Sequence, residues 1–250
     1  MKFTAFLPPH FKDLIRFVPT ILFEVTEWSS LLSESTSLSM RMLSGQGRDN
    51  VVNHLKNHFG DQYEFGNSSL VLKDLNLEQK KDFAEKILSF YFALVLSPKE
   101  KFLDLSLETF YLSKDKLGFN PTNLWSEFSP SFQSGIRAIY HGFYEENQAE
   151  FMNGLIQTKL IDTSWSDSDK KIMHDLFYSH FGNAKNEEMF FNISKFQESF
   201  HEVFKFLLQK KVKINPDFLK LGIMLVTLYT SLETLEVKIS PHKCFMMTQN

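Results

Sequence analysis

The chain carries a single cysteine, Cys244, in 250 residues. One thiol cannot close an internal disulfide, so burial and hydrogen bonding alone must hold the fold, and a reducing, cytoplasmic location is the expectation. Charge of neither sign prevails: 27 Lys and Arg stand against 30 Asp and Glu, a formal net charge of -3. That balance gives no global attraction for phosphate backbones, and nucleic acid is not expected as a partner. The densest basic run, Lys205 followed by Lys210, Lys211 and Lys213, falls where a helix should end, and cations there complement the negative end of the helix dipole. Long hydrophobic runs are missing as well. The longest uncharged apolar segment, Leu221 to Leu232, has 12 residues between Lys220 and Glu233, short of the roughly 20 that cross a bilayer. It reads as a buried core helix, and any contact with a membrane surface would have to be made without a spanning segment. Pro8 and Pro9 break the apolar start of the chain, so no secretory signal is expected.

What is present is an ordinary globular balance, 43% hydrophobic and 23% charged, compatible with one continuous core. The 27 Phe residues read as a compositional bias rather than a dedicated aromatic surface. Apolar periodicity of about 3.6 dominates. Phe11 to Leu32 predicts two short helices divided at Pro19. A Ser-rich stretch from Ser33 to Ser44 and a Gly45-Gln46-Gly47 turn lead to a helix over 49–59, then a loop over 60–67 and a short strand over 68–73. Asn76, with Gln79 three residues on, forms a capping box for a helix to about Leu96 that becomes apolar all round. In the second half, helices are expected over 129–144, 148–160, 164–181, 194–210 and 215–235, with Ser129 as N-cap and Pro130 at the first position of its helix.

Between Ser97 and Ser131 the helical pattern stops. Lys101 to Phe119 reads as a strand followed by a hairpin, with Asp104 in the loop between them. The segment Phe102-Leu-Asp-Leu-Ser-Leu-Glu-Thr109, the hairpin Phe110 to Phe119, and the helix start Ser129-Pro-Ser-Phe-Gln-Ser-Gly135 resemble the catalytic loop, hairpin and following helix of the UbiB/AarF atypical kinase-like family. The resemblance covers about residues 76–236. It implies that Asp104 stands at the catalytic aspartate, Thr109 where the family has a metal-binding Asn, and Asn120-Pro121 where it has a metal-binding Asp. Gly45-Gln46 is similar to a Gly-Gln pair of its N-terminal motif, with Leu43 in place of a Lys. Two metal ligands are thus replaced, and phosphoryl transfer needs them to hold the ion on the phosphates.

Other constellations are sparse. His54 and His58 are four apart on one helix, a spacing that suits a metal, but no acidic or Cys partner is near in sequence. His174 and His180 face different sides, and although Asp175 is nearby, the Glu-x-x-His pairs of a dimetal bundle are absent. Cys244 lacks a neighbouring base. Phe190, Phe191, Phe196, Phe200, Val203, Phe204 and Leu207 form a stripe suited to a core or to an apolar-ligand pocket.

The expected fold is therefore mainly α, a multi-helix bundle with one small β-hairpin at about residues 101–119, resembling a kinase-like C-lobe without a nucleotide lobe. A single domain over 1–250 is expected, with an N-terminal helical segment at 1–75, a body at 76–236 and a tail at 237–250. The expected function is a non-catalytic binding or scaffolding protein, without metal or cofactor, that takes an apolar small molecule or a protein partner. The alternatives are an ATP-binding enzyme using Asp104 and an unrelated helical partner-binding module.

Overall fold

The computed structural model describes residues 28–66, 75–97, 100–113, 115–182, 184–185 and 187–249. The helix pair expected over 11–32 lies largely, and the strand over 68–73 wholly, outside them. The described chain is mainly α with a small sheet. Two helices come first, α1 (Trp28–Ser44) and α2 (Arg48–Phe59), followed by β1 (Tyr63–Phe65) and α3 (Leu77–Leu96). Then come β2 (Lys101–Phe102), β3 (Phe110–Ser113), β4 (Lys116–Phe119) and β5 (Trp125–Ser126). Six helices complete the described chain: α4 (Pro130–Tyr144), α5 (Gln148–Gln157), α6 (Asp167–His180), α7 (Ile193–Gln209), α8 (Asp217–Leu235) and α9 (Pro241–Met246).

Local chemistry accounts for most helix starts. The Asn76 side chain accepts from the Gln79 N–H and the Gln79 side chain accepts from the Asn76 N–H, so the expected capping box is formed. Asn192 and Ser166 cap α7 and α6 in the same sense. Ser129 occupies the N-cap of α4 before Pro130, but its hydroxyl does not cap the helix. It donates instead to Asp217 Oδ2 at 2.6 Å, which also accepts the Ser129 N–H at 2.8 Å. The other Asp217 oxygen accepts from Lys220 Nζ at 2.7 Å, and Lys220 also donates to Glu127 O. This buried ion pair locks the start of α8 to the start of α4. α4 and α5 then cross at backbone contact: a Cβ on Gly142 would stand 2.3 Å from Phe151 N, so only glycine fits.

The hairpin closes with Phe110 opposite Phe119. Two further pairings were not readable in the sequence. β1, in a segment expected as loop, runs parallel to β4 with Tyr63 opposite Leu117, giving the sheet order β1-β4-β3. β5 returns antiparallel to β2. Strands of two or three residues carry too little alternation to be told from loop; distant partners make them.

α8 is the organising element. Among the described residues it is the one helix long and apolar enough to cross a membrane, yet 72% of its apolar window is buried inside the protein, as a core helix requires. Its face toward 103–105 carries hydroxyls. Thr227 Oγ1 accepts the Leu105 N–H at 3.0 Å and donates to Ile223 O, while Ser231 Oγ lies 2.8 Å from Leu105 O. Irregular backbone packed on a core helix must find such partners, because buried unpaired N–H and C=O groups are costly. The C-terminal residues expected as a tail form α9 on α3, with Cys244 and Phe245 fully buried. Thr227→Val should leave the Leu105 N–H buried and unpaired and cost about 1–3 kcal/mol. Thr230→Val, whose hydroxyl bonds only Val226 O of its own helix, should cost less than about 0.5 kcal/mol. Urea denaturation of the two variants measures the contrast.

Candidate functional site

The loop after β2 is where the catalytic resemblance placed its residues. Asp104 Oδ1 accepts from Ser106 N at 3.1 Å and from Ser106 Oγ at 2.6 Å, a local turn that engages the carboxylate. Thr109 is buried and its hydroxyl donates to Ser106 O at 2.7 Å. Asn120 N donates to Thr109 O, so the ends of the hairpin are joined, but by backbone rather than by side-chain ligands. The following segment is covered by the turn between α1 and α2. Arg48 Nε donates to Pro121 O at 2.9 Å, Asn123 Nδ2 to Met42 O, and Trp125 Nε1 to Gln46 O. Gly47 has φ +82 and a Cβ there would meet the Trp125 ring at 2.5 Å, so a glycine is required for this approach. The Gly45-Gln46 pair and the segment after the hairpin, some 75 positions apart on the numbering of this chain, are thus brought into contact.

The other sequence candidates do not converge. His54 and His58 stack with ring centroids 6.3 Å apart, and no group of three His, Cys, Asp or Glu side chains able to hold a metal forms among the described residues. His174 Nδ1 pairs with Asp175 at 3.0 Å near the surface, whereas His180 turns inward. Burial pushes the Cys244 thiol up to about 12, which removes the thiolate at neutral pH. Lys210 is paired with Asp169 at 2.6 Å, tying α7 to α6. From the Phe stripe, Phe191, Phe196, Phe200, Val203, Phe204 and Leu207 are buried, while Phe190 is exposed.

A cavity of about 60 Å³ lies between α3, α4, α6, α7 and α8. Its wall is aromatic and aliphatic, and among the described residues five polar side chains line it: Tyr91, Tyr140, Tyr144, Tyr229 and His180. Ser199 Oγ spends its proton on Phe196 O at 2.8 Å, so it accepts from His180 Nδ1 at 2.7 Å. Burial holds the imidazole down at about 3, so it is neutral and its Nε2 is a lone-pair acceptor. The Tyr91 and Tyr140 hydroxyls bond each other. In such a pair one hydroxyl donates and the other keeps its proton for a third group. Burial raises Tyr91, Tyr140, Tyr144 and Tyr229 above the ordinary tyrosine value, so all four stay neutral. The cavity is therefore apolar, uncharged, and supplied with one acceptor and one spare donor.

A second, wider pocket of about 390 Å³ opens where α2, α3, α4 and the C-terminal residues meet. Arg137, His58 and His141 line it, together with the Phe59 and Tyr63 rings. Behind its Ser97 wall lies Lys101, fully buried, with Nζ donating to Ser97 O at 2.8 Å. Burial first, and Arg137 second, hold the Lys101 ammonium down at about 7, against partial support from Glu100, Glu127 and Asp217. Sequence reasoning passed over Lys101, Arg137 and the tyrosines; the spacing of Tyr140 and Tyr144, four apart on the buried stripe of α4, was the one signal available. The chain matches no family model and no characterised protein.

Lys101 makes stability depend on pH. Between pH 7 and its unfolded value the unfolded chain holds a proton that the folded chain has shed, so stability rises with pH and the full cost of burial is felt below pH 7. From pH 7 to about 8.5 the gain should be roughly 1–2 kcal/mol. In this window the tyrosines are neutral in both states, whereas the Cys244 thiol, neutral when folded, begins to ionise in the unfolded chain and offsets a minor part of the rise. Lys101→Met should flatten the rise, as measured by urea unfolding at the two pH values.

Proposed function

We propose that the chain is a non-catalytic binding protein, similar in its central segment to the C-terminal part of a UbiB/AarF-like kinase fold, whose ligand is a neutral apolar small molecule held in the aromatic cavity. The observation that carries the ligand reading is the pair of hydrogen-bonding groups set into an otherwise apolar wall: His180 Nε2 as acceptor and the Tyr91–Tyr140 pair as donor. His180 is part-buried and stands on an otherwise apolar wall, where its second ring nitrogen can accept from a ligand. A ligand with a hydroxyl to give and an ether or carbonyl oxygen to receive meets both. At about 60 Å³ the cavity is smaller than the roughly 150 Å³ that holds benzene in an engineered apolar core. Entry of a ring therefore requires the cavity wall to move aside.

Support for the kinase-like reading comes from the order and pairing of elements. A buried helix, a short strand, an Asp-bearing loop, a hairpin and a return strand that pairs with the first follow one another over α3 to β5. The Gly45-Gln46 turn, picked out by the same resemblance, packs on the segment after the hairpin. Support for the absence of catalysis comes from Asp104, whose carboxylate is engaged by Ser106, and from Thr109 and Asn120 at the places of the metal ligands. The remaining carboxylate at the loop, Glu108, is exposed.

Thermal-shift titration separates these readings, because a ligand bound to the native state raises its melting temperature by mass action. Phenol and 4-methoxyphenol should raise it, and His180→Phe, which removes the acceptor, should abolish the shift while toluene binding is kept. ATP with magnesium should give no shift. A magnesium-dependent ATP shift that disappears in Asp104→Asn would establish the enzyme instead, and equal phenol binding by wild type and His180→Phe would remove the cavity from consideration.

A further inference from the structure

We infer that the wider pocket at the meeting of α2, α3, α4 and the C-terminal residues binds a small carboxylic acid, with Arg137 receiving the carboxylate and the Phe59–Tyr63 side receiving an apolar body. The space is of the right order: about 390 Å³ falls within the range of small-molecule sites. Its charge has one sign. Among the described residues Arg137, His58 and His141 line it and no Asp or Glu does. Glu145, half exposed, pairs with the lining residue His141 at 2.7 Å from its Nδ1.

Arg137 is positioned for the task. Its Nη2 donates to Leu96 O at 2.8 Å, at the C-terminus of α3, which fixes the guanidinium at the pocket mouth. Capping that helix end uses one of the five N–H donors of an arginine. The others have no partner among the described residues, and a planar fork of this kind matches a carboxylate bidentately. The electrical setting points the same way. Burial first and Arg137 second depress Lys101, and burial first, His54 second and Lys101 third depress His58. A bound anion relieves that repulsion. The remaining walls discriminate between anions. Phe59 and Tyr63 meet edge to face at 5.3 Å, and Ala93, Leu96 and Met247 extend the apolar side, which suits an acid with a hydrocarbon body better than a bare oxyanion.

This site is separate from the aromatic cavity and does not depend on it. Calorimetric titration of the full chain with benzoate, benzamide and inorganic phosphate tests it. Benzoate should bind, and benzamide, its neutral counterpart, should bind at least about tenfold more weakly, as a lost charge-assisted hydrogen bond implies. Arg137→Gln should weaken benzoate by about tenfold to a hundredfold, and Arg137→Lys should recover part of the loss by keeping the charge without the fork. The helical circular-dichroism signal and the melting temperature without ligand should be nearly the same in both variants, Arg137 being an exposed residue, which shows that they fold. Equal binding of benzoate and benzamide, benzoate binding unchanged in Arg137→Gln, or phosphate binding in preference to benzoate would each overturn the inference.

Discussion

The architecture depends on burying α8 on nearly every side while an irregular stretch of backbone, Leu103 to Leu105, lies against it. A wholly apolar helix would leave the Leu105 N–H and C=O without partners, so Thr227 and Ser231 serve both. At the start of the same helix, Asp217 and Lys220 bind the entry of α4 through Ser129 and Glu127. A buried ion pair seldom adds net stability, because desolvation consumes most of the Coulomb gain. Here each charge has a further backbone or hydroxyl partner, and the pair fixes which elements meet at which register. The loop bearing Asp104 is thereby held from behind by α8, and from the far side of the hairpin by the α1–α2 turn through Arg48 and Trp125.

Two pockets of opposite character follow from this packing. Helices that converge with bulky rings leave a narrow gap between α3, α4, α6, α7 and α8, and its polar groups are all neutral because burial suppresses their charged forms. Where α3 ends, exposed carbonyls attract Arg137, and the histidines of α2 and α4 gather beside it with one acid in attendance. The first setting favours a neutral ligand and the second an anion. The loop after β2 presents neither: one oxygen of the Asp104 carboxylate accepts from Ser106, and the Thr109 hydroxyl donates to Ser106 O.

The sequence by itself determined most of the helices, because periodicity and capping are local; α1, which runs through what read only as a Ser-rich stretch, and α9, expected as tail, are the exceptions. Asn76 and Gln79 form their box from residues three apart, and the apolar stripe of Phe196, Phe200, Val203, Phe204 and Leu207 turns away from water as its helical spacing implies. The hairpin from Phe110 to Phe119 was equally legible, since its two strands are joined by a short turn. The tertiary structure alone decided the rest. β1 and β5 are strands only because β4 and β2 lie beside them, and Ser129 gave up its helix-capping bond for a carboxylate 88 positions away. The tautomer of His180, the low basicity of Lys101 and the solitary fork of Arg137 arise from partners brought in by folding. Burial and long-range juxtaposition set the chemistry of a side chain, and neither is written in its immediate neighbours.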